Sequence, residues 1–146
     1  MFLIGSAQKF MTGIMLKQLE IDGEIHMMTP VKHYLKWFDS NYPLSIKQLM
    51  LHQSGLYKYK ANPKFKDLND ATHAIQQRGI NPLEYNKYQY NDANYLILSK
   101  VIETVTHKSY MQNLNERLVK PYNLEYTARY SNLNFKNYMA CLLYTS

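Results

Sequence analysis

The stretch "GSAQKF", Gly5 to Phe10, decides how the rest of this chain is read. Ser6 and Lys9 stand at i and i+3, so on a helix they share a face, roughly 5–6 Å apart at Cβ. A serine in that place caps free backbone N–H groups, and the lysine is then a solvated side chain. The same place also suits a nucleophile, because helix N-terminal N–H groups favour developing negative charge. A hydroxyl needs an adjacent base to attack. A lysine serves as that base only when its surroundings bring it well below its ordinary pKa of about 10.4. The pair alone fits both readings.

Working outward, helical signals dominate. Apolar residues Phe10, Met11, Ile14, Met15 and Leu19 predict one broad helical face from Ser6 to about Ile21, stopped at Asp22-Gly23. Thr29-Pro30 predicts a capped short helix over Val31 to Leu35. Ser45 predicts another, with Ile46, Leu49 and Met50 on one face and Gly55 beyond its end. "NPLEYNKYQYND", Asn81 to Asp92, has turn residues and no period, and reads as a loop. Tyr95, Leu98, Ile102 and Val105 give a helix from Asn94 to about Thr106, with Asp92 as a candidate cap. Ser109 and Gln112 form a capping box for a last helix through Leu118, closed by Pro121. No hairpin signal or period-2 run occurs in the first 130 residues, so the expected fold class is mainly α.

Composition narrows the function classes. The 146 residues suffice for one domain with a core, and no low-complexity tract or long apolar run suggests disorder or a membrane span. Net charge is +6, which favours anionic partners. The lysines are spread along the chain without an arginine cluster or recognition motif, which argues against nucleic acid and leaves wall polymers or an acidic membrane surface. The single Cys141 excludes an internal disulfide and a cysteine-based metal cluster; no cofactor is expected. Its context, "CLLYTS" (141–146), is also what TGTCTCTTATACACATCT encodes, a transposon end used in library preparation. The expected domain division is therefore 1–140 as one partial domain and 141–146 as adapter read-through.

Four words occur in register: "IGSAQKFMTGIMLKQLEIDGEI", "PVKHYLKWF", "SIKQLMLHQSGL" and "YQYNDANYLILSKVIETVTHKSY". Their order and spacing resemble the serine β-lactamase-like and penicillin-binding-protein superfamily, from Gly5 to about Thr127. The likeness is strongest to the class C β-lactamase and esterase branch, and within it to FmtA-like teichoic-acid D-alanyl esterases. The resemblance implies the helical subdomain and nucleophile helix of an α/β fold, with most of the sheet missing. It implies Ser6 as nucleophile, its N–H as one oxyanion donor, and Lys9 as the group taking its proton. Tyr90 matches the tyrosine of a Tyr-x-Asn motif that relays protons to and from the leaving group.

Asp92 stands where most members carry asparagine. It accepts but cannot donate, and beside Lys9 it favours the ammonium over the neutral base. That departure argues against efficient β-lactam turnover and fits the esterase branch. The resemblance further implies an extracytoplasmic enzyme acting on D-alanylated teichoic acid or peptidoglycan-type substrate, open to acylation by β-lactams. A D,D-carboxypeptidase, a weak β-lactamase and a non-catalytic polymer-binding module are the competing readings. The family's Lys/His-Thr/Ser-Gly motif is expected beyond Ala140, so the 146 residues alone are expected to be inactive, with a helix face left uncovered. His52, in "LMLHQSGL", lacks partners at metal-ligand spacing and reads as a structural histidine holding its loop. His26, His33, His73 and His107 form no pattern, and the methionines read as core filling.

Overall fold

The computed structural model describes residues 6–124, and the ending "CLLYTS" lies outside them. Six α-helices follow in order: α1 (Ala7–Ile21), α2 (Val31–Tyr34), α3 (Ile46–Met50), α4 (Leu68–Arg78), α5 (Asp92–Thr106) and α6 (Tyr110–Leu114). α6 runs on into a π-helical turn over Asn115–Val119. Among the described residues there is no strand, only the isolated antiparallel bridges Pro30–Ser45 and Leu56–Ile80.

α5 is the axis of the molecule. Ala93, Leu96, Ile97, Leu98, Val101 and Ile102 are all buried, so the helix is apolar nearly all round and α1, α2, α3, α4 and α6 pack against it. α1 meets this axis through Gln8, Thr12, Met15, Leu16 and Leu19. The Thr12 hydroxyl bonds the buried Tyr110 phenol at 2.8 Å, tying α1 to α6. The expected face beginning at Phe10 is therefore rotated. Phe10 and Ile21 lie 74% and 82% exposed, beside a shallow groove of about 520 Å³ that Ile14, Met50 and Tyr122 also line.

Helix ends explain the other differences. Ser109 forms the capping box predicted with Gln112, and Ser45 caps α3 as expected, in a box with Gln48 that was not predicted. Pro30, not Thr29, occupies the cap position of α2, and no side chain caps that helix. Asn91, not Asp92, caps α5, its side chain accepting from the Ala93 N–H at 3.0 Å. α4 was not expected from the sequence, because Lys60 to Lys66 carries no apolar period ahead of it. Its signals are local: the Asp67 cap accepting from the Asp70 N–H, Arg78 in the last turn and Gly79 at the end.

One glycine positions the loops around the site. Gly55 has φ +70°, and a Cβ there would lie 2.8 Å from the Tyr85 nitrogen. Only glycine lets the 54–56 segment approach the 81–85 turn so closely, where the Asn81 N–H bonds the Gly55 carbonyl at 2.8 Å.

Candidate active site

Ser6 opens α1 in helical geometry (φ −62°, ψ −14°), and its hydroxyl caps nothing. It lies 2.9 Å from the Tyr90 phenol oxygen, 84 residues away in sequence. The cap reading of "GSAQKF" thus gives way to a long-range contact between two exposed hydroxyls. One turn on, Lys9 Nζ pairs with Asp92 Oδ1 at 2.7 Å and lies 5.1 Å from the centre of the Tyr90 ring. All four residues singled out from the sequence therefore meet at the junction of α1, the 81–91 loop and the start of α5.

The electrostatics of Lys9 follow from its neighbours. Burial opposes its charge, but the hydrogen bond and charge of Asp92, helped by Tyr90, outweigh that and hold the amine above its ordinary value of 10.5. Lys9 is accordingly an ammonium in this arrangement. Its positive charge, rather than a free electron pair, faces Tyr90.

Beneath this partly exposed quartet lies a buried polar layer that the sequence reading did not assemble. The Leu56 N–H donates to Ser54 Oγ, the Ser54 hydroxyl donates to Asn94 Oδ1, and Asn94 Nδ2 faces His52 Nδ1 at 2.9 Å. The Asn91 backbone N–H, which can only donate, points at His52 Nδ1 at 3.2 Å, so that nitrogen accepts, the Asn94 amide donates to it, and Asn94 Oδ1 is left to accept from Ser54. Asn91 is equally engaged. Its Nδ2 donates to the Leu56 and Tyr57 carbonyls, and its Oδ1 accepts from Ala93 and Tyr59 N–H groups. The signal for Asn94 was available, since it is a polar residue among the mostly apolar buried positions of α5. Such a residue needs a partner in the core.

His52 holds its loop, as expected of a structural histidine, and it does so under the site itself, its ring 4.6 Å from that of Tyr90. Among the described residues no group of three or more His, Cys, Asp or Glu is placed to hold a metal ion.

The β-lactamase family matches residues 1–138. This chain belongs to that family. It is 54% identical over 140 residues to a teichoic acid D-alanine hydrolase of Staphylococcus aureus, covering 96% of this chain and 35% of that protein. The chain thus spans about a third of the length of the relatives it matches. It superposes on the crystal structure of FmtA from Staphylococcus aureus with a TM-score of 0.90 at 54% identity, over 94% of this chain and 38% of the other. A D-stereospecific amidohydrolase from Streptomyces sp. shares the fold at 23% identity, with a TM-score of 0.74 over 85% of this chain and 43% of that one. The described residues thus form a helical portion of the β-lactamase and penicillin-binding-protein fold, whose neighbours extend well beyond it.

Proposed function

We propose that this chain carries the nucleophile of a serine hydrolase that removes D-alanyl groups from an anionic envelope polymer of the teichoic-acid type. The observation that carries the reading is the 2.9 Å contact between Ser6 Oγ and the Tyr90 phenol, with the Lys9 ammonium beside that ring. In the reactive form the Tyr90–Lys9 pair has lost one proton, and the lost proton belongs to the pair rather than to either group. Ser6 Oγ attacks the ester carbonyl while its own proton passes to Tyr90. That proton goes on to the leaving alkoxide, the C–O bond breaks, and D-alanyl-Ser6 remains. Water then attacks the acyl group, giving its proton back along the same route, and frees D-alanine and the Ser6 hydroxyl. Lys9, beside the Tyr90 ring, favours the phenol oxygen each time it gives up its proton, and Asp92 holds Lys9 in place.

The substrate class rests on the 54% identity to a teichoic acid D-alanine hydrolase and on charge. Lys58, Lys60, Lys64 and Lys66 are exposed in one segment without an acidic residue, and none forms an ion pair among the described residues. That segment is tied to the residue next to Tyr90 by the Tyr59 N–H to Asn91 Oδ1 bond at 3.2 Å. A polyol-phosphate chain lying on these lysines would be held on a segment hydrogen-bonded to the residue next to Tyr90. Such a substrate lies outside the cytoplasm, and an extracytoplasmic location goes with the proposal.

The test is D-alanine release from D-alanylated teichoic acid, together with labelling by a fluorescent penicillin, in the whole protein and in Ser6→Ala. Ser6→Ala is expected to abolish labelling and to lower release by about a thousandfold or more, the usual cost of removing a nucleophile. Release unaffected by Ser6→Ala would overturn the reading. Polymer binding that collapses with salt while no acyl-enzyme forms in either protein would favour a non-catalytic binding module instead.

A further inference from the structure

Tyr90 is bracketed by two hydrogen bonds, and both end on one residue. The Gln89 N–H donates to the His52 carbonyl at 2.8 Å, and the Asn91 N–H donates to His52 Nδ1 at 3.2 Å. The ring of His52 itself lies against that of Tyr90. The side-chain half of this hold depends on protonation. Nδ1 receives the Asn91 N–H and the Asn94 amide together, and the backbone N–H of Asn91 can only donate. Nδ1 must therefore carry a lone pair, which places the imidazole proton on the other ring nitrogen.

We propose that His52 is a positioning residue for Tyr90: neutral, it fixes both neighbours of the tyrosine, and on gaining a proton it releases the Asn91 side and lets the phenol leave Ser6. The proposal deepens the preceding reading, since it takes Tyr90 as the proton-transfer group. A protonated Nδ1 would meet two donors, the Asn91 N–H and the Asn94 amide, at 3.2 and 2.9 Å with nothing to accept from them. Every charged or titratable group around the ring bears on the balance. Lys9 reaches it from α1, Tyr88 and Tyr90 from the loop, and Asp92 and Tyr95 from α5. Burial first, then the Lys9 ammonium, hold the imidazole below its ordinary value of 6.5, with the Asp92 carboxylate opposing. A histidine whose folded value is depressed stabilises the fold fully above its unfolded value; that contribution is lost as pH falls from there through the folded value. The site is thus assembled at neutral pH and loosens in acid.

A substitution exists that separates the acceptor from the proton. His52 has φ +55°, a left-handed conformation that asparagine tolerates well among side-chain-bearing residues. In His52→Asn, an oxygen that cannot titrate in this range replaces Nδ1, whereas His52→Ala removes the acceptor. The experiment compares wild type, H52N and H52A in the full chain by NMR of the Asn91 amide and the Tyr90 ring between about pH 8 and 5. Acylation of Ser6 by a fluorescent penicillin is followed in the whole protein over the same range. Wild type is expected to show one transition shared by the His52 ring, the Asn91 amide and Tyr90, and H52N none of it. The ratio of wild-type to H52N acylation should fall about tenfold per pH unit below the His52 value, the slope of one added proton. An Asn91 amide that ignores the His52 titration, or an H52N protein that keeps the same transition, would overturn the proposal. If H52A does not fold, H52N alone still decides. If no variant is acylated at any pH, the hydrolase reading fails while the NMR transition still tests the role of His52.

Discussion

The candidate site has two layers of opposite character. The outer one, Ser6, Lys9, Tyr90 and Asp92, is reached by solvent, with Tyr90 46% exposed, and is joined by one hydroxyl contact and one ion pair. The inner one, His52, Ser54, Asn91 and Asn94, is buried, with Asn94 fully so, and the donors and acceptors that link it are matched in direction. Exposed ion pairs contribute little to stability, whereas buried polar groups are costly when left unpaired. The outer layer can therefore be tuned for chemistry at small structural cost, because the inner layer supplies the positions.

That division predicts which substitutions change rate and which change folding. Tyr90→Phe should lower Ser6 acylation by about 10²–10⁴, the usual range for a proton-transfer group, with the melting temperature nearly unchanged. Stopped-flow labelling beside a thermal melt checks both halves, and a large loss of stability would show that the two layers are not separable. Asn94→Ala should do the reverse in kind. It strands Ser54 and His52 and opens a small cavity, so unfolding in urea should show a loss of about 2–3 kcal/mol. A near-wild-type denaturation curve would mean the inner layer does not carry the fold.

The smallest effect belongs to the ion pair. Asp92 favours the charged form of Lys9, whose value is raised. Any stability from that raised value is present below about 10.5 and is lost as pH rises through the folded value. Asp92→Asn should therefore move the limb on which acylation rises with pH to lower pH. An unmoved limb would mean that Lys9 does not share the dissociating proton.

The unexpected α4 and the rotated face of α1 show where the sequence was hard to read. Of the apolar positions read for α1, Met15 and Leu19 are buried, but Phe10 is exposed and the buried Leu16 was not among them, because only contact with α5 and α6 decides which stripe is covered. The Ser109–Gln112 capping box and the Ser45 cap were legible, since the partners that satisfy them lie within three residues. The cap of α5 was misplaced by one residue because Asn91 and Asp92 are both good caps. Only the backbone shows which of them stands outside the helix.

By itself the sequence carried five of the six helices, the family words and the four candidate site residues, because each is written in local spacing. It also carried the tension between Lys9 and Asp92, which needs only the charges of the two groups. What the tertiary structure decided was direction: that the Ser6 hydroxyl points at Tyr90 instead of its own helix, and that His52 stands under the site and holds both neighbours of that tyrosine. A hydrogen bond between residues 84 positions apart depends on how α1, the loop and α5 are packed together. No local pattern contains that information, because the packing that sets it is a property of the whole core.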